Sequence, residues 1–273
     1  MTLTSSRIVF LGAGNMAEAI INGLLDNGIP TANVLVTDIN QDRLDYFQKQ
    51  FSVCGSKDNS SAVEQADIVV LAVKPQFMSE VLAGVKHAIP STALVISIAA
   101  GLTAETLEAQ LQPNTRLVRV MPNTPALVKE GIAGVAPGNH ATQADLELSE
   151  ALLKSVGRAE RVEERELDAL TAVSGSGPAY VFYLMEAMIN AGEELGLAPE
   201  LARELTISTV SGAAKLMRET GLSATELRER VTSKGGTTAA AIARFEEGDA
   251  RKHLHAGVIA CHARSIELSK GNG

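Results

Sequence analysis

Gly12-Ala13-Gly14-Asn15-Met16-Ala17 is a G-x-G-x-x-A hexamer, a pattern that can hold phosphate charge on backbone N–H groups. The apolar run from Ile8 to Leu11 precedes it. Met16, Ile20 and Leu24 follow at i, i+4 and i+8, with Ala17 and Ile21 beside them. A strand, a glycine turn and a helix in that order is where a dinucleotide pyrophosphate binds. Gly12 permits the tight turn, Gly14 lets the backbone approach the phosphates, and small Ala17 lets helix and strand pack closely. The free N–H groups and positive dipole end of the helix then meet the phosphate charge.

Asp38 ends the second apolar run, a little farther from Gly12 than the ~20 residues of the usual fingerprint. An acidic side chain there accepts hydrogen bonds from the adenosine ribose hydroxyls and disfavours a 2′-phosphate; the plainer reading is a helix or turn cap. Asn40 and Arg43 nearby could still accommodate a phosphate, so NAD and NADP both stay open. Two more apolar runs end in small or turn-forming residues. Ile68 to Val73 breaks at Lys74-Pro75, and Ile96-Ser97-Ile98 runs into Ala99-Ala100-Gly101. Ligands of open α/β sheets gather at the carboxyl ends of strands, and small residues there admit a nicotinamide ribose, although ordinary connecting loops would look alike. A further run ends in Met121-Pro122-Asn123-Thr124-Pro125, whose prolines and capping residues make either a rigid turn or one wall of a pocket.

The second half of the chain carries two polar, glycine-rich stretches. One is Ser174-Gly175-Ser176-Gly177-Pro178-Ala179-Tyr180; the other is Thr232-Ser233-Lys234-Gly235-Gly236-Thr237-Thr238, leading into a helical pattern over 239–246. Hydroxyls and glycines at a helix start form a nest of backbone N–H groups that suits a carboxylate. An N-cap with a flexible loop is the alternative. His253, His255 and His262 share one predicted helix with Cys261 at spacings that give no converging set of three or four ligands, so no metal site is expected.

These groups need a scaffold, and the rest of the sequence describes one. Apolar runs at 7–11, 34–37, 68–73, 94–98, 116–120 and 132–135 alternate with helical patterns, which predicts a doubly wound, mainly parallel sheet with an antiparallel edge near 130–162. From about residue 164 the strand signal disappears. Val181, Leu184, Met185 and Met188 mark one helical stripe, and Leu201, Leu205, Ala213 and Leu216 another. Pro199 suits a first helical turn, Gly221 a C-terminal cap, and Ser223-Ala224-Thr225-Glu226 a capping box.

The 273 residues leave room for two domains, and 45% hydrophobic with 21% charged residues is ordinary globular composition. Only 3% are aromatic, so Ala, Val, Leu and Ile must build the core. A net charge of −8 argues against non-specific nucleic-acid binding. Residues 1–6 lack a signal-peptide pattern, and no apolar run approaches the ~18 residues of a membrane span. Cys54 and Cys261 form no C-x-x-C pair and are expected to be reduced and mostly buried, so a cytoplasmic protein is the expectation.

Taken in order and at their spacing, GAGNMA (12–17), AVKP (72–75), SIAAG (97–101), MPNTP (121–125), SGSGPAY (174–180) and VTSKGGTTAAAI (231–242) resemble pyrroline-5-carboxylate reductase from residue 7 to residue 267. The last block resembles that family's own signature. The resemblance implies an α/β Rossmann-type doubly wound sheet over 1–163, then an all-α substrate-binding and dimerisation domain over 164–273. It implies NADPH as cofactor, with NADH as the alternative, and reduction of 1-pyrroline-5-carboxylate to proline. Gly12, Ala13, Gly14, Asn15, Met16 and Ala17 would hold the pyrophosphate, and Ala72, Val73, Lys74 and Pro75 the nicotinamide side. Asn59 matches a cofactor-contacting asparagine, and Ala100 and Gly101 would line the same cleft. Ser233 and the backbone of Gly235, Gly236 and Thr237 would receive the substrate carboxylate. Thr238 matches the threonine whose hydroxyl bonds the ring nitrogen, and Ser176 and Gly177 would shape the pocket.

A homodimer or a larger ring of dimers is also implied, with the sharing of one site between subunits left open. Lys234 departs from the family's usual proline; it either loosens the turn or helps attract the carboxylate. Two rivals fit less well. A β-hydroxyacid dehydrogenase needs a lysine on its first interdomain helix, and residues 178–196 contain none. A nucleotide-sensing module would leave the stretch 233–238 without a purpose.

Overall fold

The computed structural model describes residues 2–270. Eight strands form one sheet in the order β3-β2-β1-β4-β5-β6-β7-β8. They are β1 (Ile8–Leu11), β2 (Val34–Thr37), β3 (Cys54–Ser56), β4 (Ile68–Leu71), β5 (Leu94–Ser97), β6 (Arg116–Met121), β7 (Gly131–Pro137) and β8 (Gly157–Arg161). The first six run parallel; β7 is antiparallel to β6, and β8 is parallel to β7. Helices α1 (Asn15–Asp26), α2 (Gln41–Phe51), α3 (Asn59–Val63), α4 (Pro75–Val85), α5 (Ala104–Glu108) and α6 (Gln143–Lys154) connect them. This is the expected doubly wound sheet with an antiparallel edge.

Strands β1 and β4 are apolar and buried at every position because both faces are covered. The side-chain alternation of a strand divides the core in two. Ile8, Phe10, Val36, Ile68, Val70 and Ile96 pack with Ile20, Leu24, Phe47 and Leu152 on one face. Val9, Leu11, Val69, Leu71 and Val95 pack with Met78, Leu82 and Val85 on the other.

Strands β3 and β8 are not among the apolar runs in the sequence. Both are edge strands; Cys-Gly-Ser is short and Gly-Arg-Ala-Glu-Arg is charged, which is how edges avoid pairing with other chains. The expectation for Cys54 needs the same correction: it lies on edge strand β3 and is exposed, while Cys261 is half-buried.

Beyond β8, α7 (Leu167–Leu170) passes directly into a π turn, Thr171–Gly175. Then follow α8 (Gly177–Glu194), α9 (Pro199–Thr220), α10 (Ala224–Arg230), α11 (Thr237–Glu247) and α12 (Ala250–Ser269). Pro199 occupies the first turn of α9, Gly221 caps it in the left-handed conformation, and Ser223 with Glu226 forms the capping box of α10. The chain divides into two compact units, one running up to Ser176 and resuming at Cys261, the other Gly177–Ala260. In the first, the end of α12 is anchored by Ser265, whose hydroxyl donates to Asp168 at 2.6 Å. In the second, α8 and α9 meet closely where Gly192 faces Ala202. Most of their large apolar residues stay exposed in the single chain: Val181, Phe182, Leu184, Leu201, Leu205 and Leu216. Among the described residues no helix is long and apolar enough to cross a membrane.

Glu150 ties α6 to β8. One carboxylate oxygen accepts from Lys154 at 3.0 Å and the other from Arg161, whose hydrogen bond is the main reason its pKa lies below the usual carboxylate range. A lowered folded-state pKa contributes stability that is present above the unfolded value and lost as the pH falls through the folded one. Glu150→Gln should therefore lower stability by about 1 kcal/mol at neutral pH and by much less near pH ~3. Urea midpoints at the two pH values check this; equal losses at both would exclude the ionised pair as the cause.

Candidate active site

Among the cofactor candidates, the first turn must be glycine for a steric reason. Gly12 has φ of +107°, and a Cβ there would lie 2.8 Å from both the carbonyl carbon and oxygen of Ala72. The end of β1 therefore sits directly on the end of β4. This is the point where the strand order reverses, and where open α/β sheets bind ligands. Gly14 is the N-cap of α1, with no side chain capping the helix and nothing within 4 Å of where its Cβ would point. Ala13 and Ala17 are buried, while Gly14 and Asn15 are exposed and Met16 is half-buried. Uncapped helix N–H groups in front of an open glycine fit a pyrophosphate.

Asp38 stands between its two sequence readings. Its Oδ2 accepts from the Ala13 N–H and its Oδ1 from the Asn40 N–H, both at 2.9 Å, so it does cap a turn. Each carboxylate oxygen has a second acceptor site left for a ribose hydroxyl. Asn40 is the N-cap of α2 and accepts from Asp42. Arg43 donates from Nε to the Ala13 carbonyl at 2.8 Å and from a terminal nitrogen to Glu18 at 2.7 Å, with its guanidinium over the Tyr46 and Phe47 rings. The other Glu18 oxygen accepts from the Tyr46 hydroxyl, which raises the Tyr46 pKa above its ordinary value. The one nearby cation that the sequence offered to a phosphate is thus already paired. Glu18 and Tyr46 give no motif signal; only helix periodicity pointing α1 toward α2 could have suggested them.

The remaining cofactor candidates gather at the same edge. Asn59 opens α3 and accepts from the buried Thr37 hydroxyl at the end of β2. Ala72 and Val73 follow β4 half-buried, Lys74 caps α4 and Pro75 begins it. Ala100 is exposed after β5, and Gly101, at φ of +72°, lies against Leu268 of α12. A cavity of about 360 Å³, with Arg7, Asn33 and Cys54 in its lining, opens at the opposite, amino-terminal edge, and none of the cofactor candidates line it.

The two glycine-rich stretches of the second half turn out unlike. Residues 174–176 lead into α8, which begins at Gly177 with Pro178 in its first turn, as expected, but they also continue from α7 without a break, and the Ser176 N–H is spent on the Thr171 carbonyl at 2.8 Å in the π turn. The Ser176 amide is therefore taken by the bonding that continues from α7 and does not face outward as a free helix-start N–H. The Ser176 hydroxyl accepts from the Cys261 thiol at 3.3 Å, and Gly177 begins α8.

Residues 233–238 form a turn that opens α11, at the place where the sequence suggests a carboxylate nest. The Gly236 N–H donates to the Ser233 carbonyl at 3.0 Å, closing a turn in which Gly235 takes φ of +74°. A Cβ on Gly236 would lie 2.6 Å from Ser233 Oγ. Gly236 then caps α11 without a side-chain bond, so the amides of Thr237 and Thr238 open the helix unclaimed by a cap. Ser233 is exposed and Thr238 half-buried. Lys234 holds the second position of this turn, where proline is preferred because its φ is preset. Lys234→Pro should lower the KM for a carboxylate substrate about threefold at nearly constant kcat, the ~0.4–1 kcal/mol expected from a preset turn residue. An unchanged KM would show that the lysine turn is already as well ordered as a proline one. Among the described residues no three His, Cys, Asp or Glu side chains converge on a metal position.

Known proteins sharpen this picture. The family described as "Pyrroline-5-carboxylate reductase dimerisation" matches residues 164–268, and that described as "NADP oxidoreductase coenzyme F420-dependent" matches residues 7–101. A pyrroline-5-carboxylate reductase of Pseudomonas aeruginosa is 41% identical over 272 residues, covering 99% of this chain and 100% of the relative. One from Methanosarcina acetivorans is 42% identical, covering 98% and 100%. The solved structure of a pyrroline-5-carboxylate reductase from Coxiella burnetii superposes with a TM-score of 0.89 at 40% identity, over 97% of this chain and 99% of that one. That of Plasmodium falciparum pyrroline carboxylate reductase with NADP bound gives 0.90 at 28% identity, over 98% and 99%. On near-complete relatives at this identity, the glycine turn at the strand-order reversal and the turn before α11 belong to a member of the pyrroline-5-carboxylate reductase family.

Proposed function

We propose that the chain reduces 1-pyrroline-5-carboxylate to L-proline with NAD(P)H. The observation that carries this reading is the pairing of two anion-friendly helix starts of different kinds: Gly14 before α1 for a pyrophosphate, and the nest of residues 233–238 before α11 for a carboxylate. Bound NAD(P)H would supply a hydride to ring carbon C5, while the ring nitrogen takes one proton. The imine is basic enough to be protonated before or during transfer, which suits a site with no histidine among its candidates.

What the protein must do is hold and orient. Gly12, Ala13, Gly14, Asn15, Met16 and Ala17 would hold the pyrophosphate, with Asp38 and Asn59 on the adenosine side. Ala72, Val73, Lys74, Pro75, Ala100 and Gly101 would line the nicotinamide side. Ser233, Gly235, Gly236 and Thr237 would bind the carboxylate, with Ser176 and Gly177 beside the ring. Thr238 would orient the ring nitrogen in a near-attack geometry and relay its proton. Residues 164–273 would serve substrate binding and dimerisation. The exposed apolar residues of α8 and α9 support a homodimer, each fully buried side chain being worth ~1.5–3 kcal/mol. A ring of dimers and a cytoplasmic location belong to the same reading.

NADPH oxidation by the purified protein, with and without pyrroline-5-carboxylate and repeated with NADH, tests it. Rapid substrate-dependent oxidation is expected. A higher rate with NADH would show that Asp38, with Arg43 held by Glu18, disfavours the 2′-phosphate. Cofactor binding without oxidation in either case would overturn the proposal.

A further inference from the structure

Asn123 is the buried polar residue of the MPNTP stretch, 8% exposed, and none of the roles above use it. Its amide group bridges two backbone groups far apart in sequence. Nδ2 donates to the Ser174 carbonyl at 3.1 Å, and Oδ1 accepts from the Ile132 N–H at 3.0 Å. A carbonyl needs a donor and an N–H needs an acceptor, so these partners allow one orientation of the amide only.

The Ser174 carbonyl has a reason to need this donor. In a continuing helix it would accept from the residue four ahead, which is Pro178 and has no N–H. The π turn at Thr171–Gly175 marks the same interruption, since such turns arise where helical register shifts by one residue and recur at functional sites. Two residues before Asn123, Met121 holds the turn from the side: a Cβ on Gly175 would lie 2.7 Å from Met121 Cε. The end of β6 therefore grips residues 174 and 175 by a hydrogen bond and by packing. Ser176, next in the chain, inherits its position from that grip.

We propose that Asn123 is a positioning residue for the reduction: it supplies the hydrogen bond that Pro178 cannot, and so holds the turn that presents the Ser176 hydroxyl to the substrate ring. The role of Ser176 rests on the proposed function; the substitution of Asn123 for the missing amide does not.

The test is a cycle of the full-length protein with Asn123→Ala, Pro178→Ala and the double variant, read by amide hydrogen exchange and by kinetics. Asn123→Ala should speed exchange over residues 171–177 about tenfold. It should lower kcat/KM for pyrroline-5-carboxylate about 30-fold, with NADPH affinity within about twofold of wild type. In the double variant residue 178 regains an N–H, and both effects should largely reverse. Asn123→Asp keeps the acceptor for Ile132 and removes the donor to Ser174, so it should behave like the alanine variant over 171–177.

Effects that simply add in the double variant would overturn the substitution of one donor for the other. Faster unfolding or lower stability without any change in exchange at 171–177 or in kcat/KM would reduce Asn123 to a structural residue. If wild-type protein fails to reduce the imine, the proposed function falls, and the exchange cycle still decides what Asn123 does to the turn.

Discussion

Gly12→Ala should abolish dinucleotide binding and destabilise the fold by about 2–4 kcal/mol. Two separate costs combine in that figure. A residue with a Cβ rarely adopts φ of +107°, and here the new carbon would also meet the Ala72 backbone at 2.8 Å, where neither partner is a flexible side-chain end. Relief requires the end of β1 to move away from β4, and that displaces the turn from the start of α1. Gly14→Ala separates folding from binding. Gly14 has φ of −74° and ψ of 176°, which alanine adopts freely, and its Cβ would point into open space. The Gly14 variant should keep wild-type urea stability while losing cofactor affinity, because its methyl occupies the space a phosphate needs. NADPH fluorescence titration and urea unfolding of both variants decide the matter. Wild-type affinity in the Gly12 variant would remove the glycine turn from the cofactor site.

Thr238→Ala should lower kcat about 100-fold while leaving NADPH affinity within about twofold. The hydroxyl lies in the first turn of α11, behind the turn closed by Ser233 and Gly236. Removing it leaves the backbone amides of the nest intact, so carboxylate binding should weaken far less than turnover. A group that orients the ring nitrogen in the transition state shows itself in kcat, whereas uniform binding shows in KM. Thr238→Ser keeps the hydroxyl and should recover most of the rate. Unchanged turnover in the alanine variant would take Thr238 out of the mechanism. A loss confined to KM would make it a carboxylate-binding residue.

The arrangement around Ala13 explains why the choice of cofactor is read poorly from sequence. Asp38, Arg43 and Asn40 follow one another closely, and on residue type alone they suit a ribose or a phosphate equally. In the fold Asp38 takes the Ala13 N–H, Arg43 takes the Ala13 carbonyl, and Glu18 from α1 neutralises the arginine. The decisive partner lies on another element and belongs to no motif.

Features that rest on local rules were legible in the residue order alone. Apolar runs too short for helices set β1, β2, β4, β5, β6 and β7, because a strand covered on both faces is mostly apolar. Gly12, Gly221 and Gly235 mark turns where φ is positive, and Ser223 with Glu226 marks a helix start. The turn at 233–238 could be read for the same reason: its geometry is made by residues that are neighbours in the chain. The assembled fold settled the rest. Edge strands β3 and β8 form because the sheet offers them a partner, not because Cys-Gly-Ser or Gly-Arg-Ala-Glu-Arg favours extension. Residues 174 and 175 close a π turn ahead of α8 because α7 reaches them from behind, and Asn123 reaches Ser174 from the end of β6. Motif reading sees spacing along the chain, whereas these groups are set by hydrogen bonds to other elements, Asn123 to Ser174 being 51 positions apart, whose closure depends on the sheet being in place.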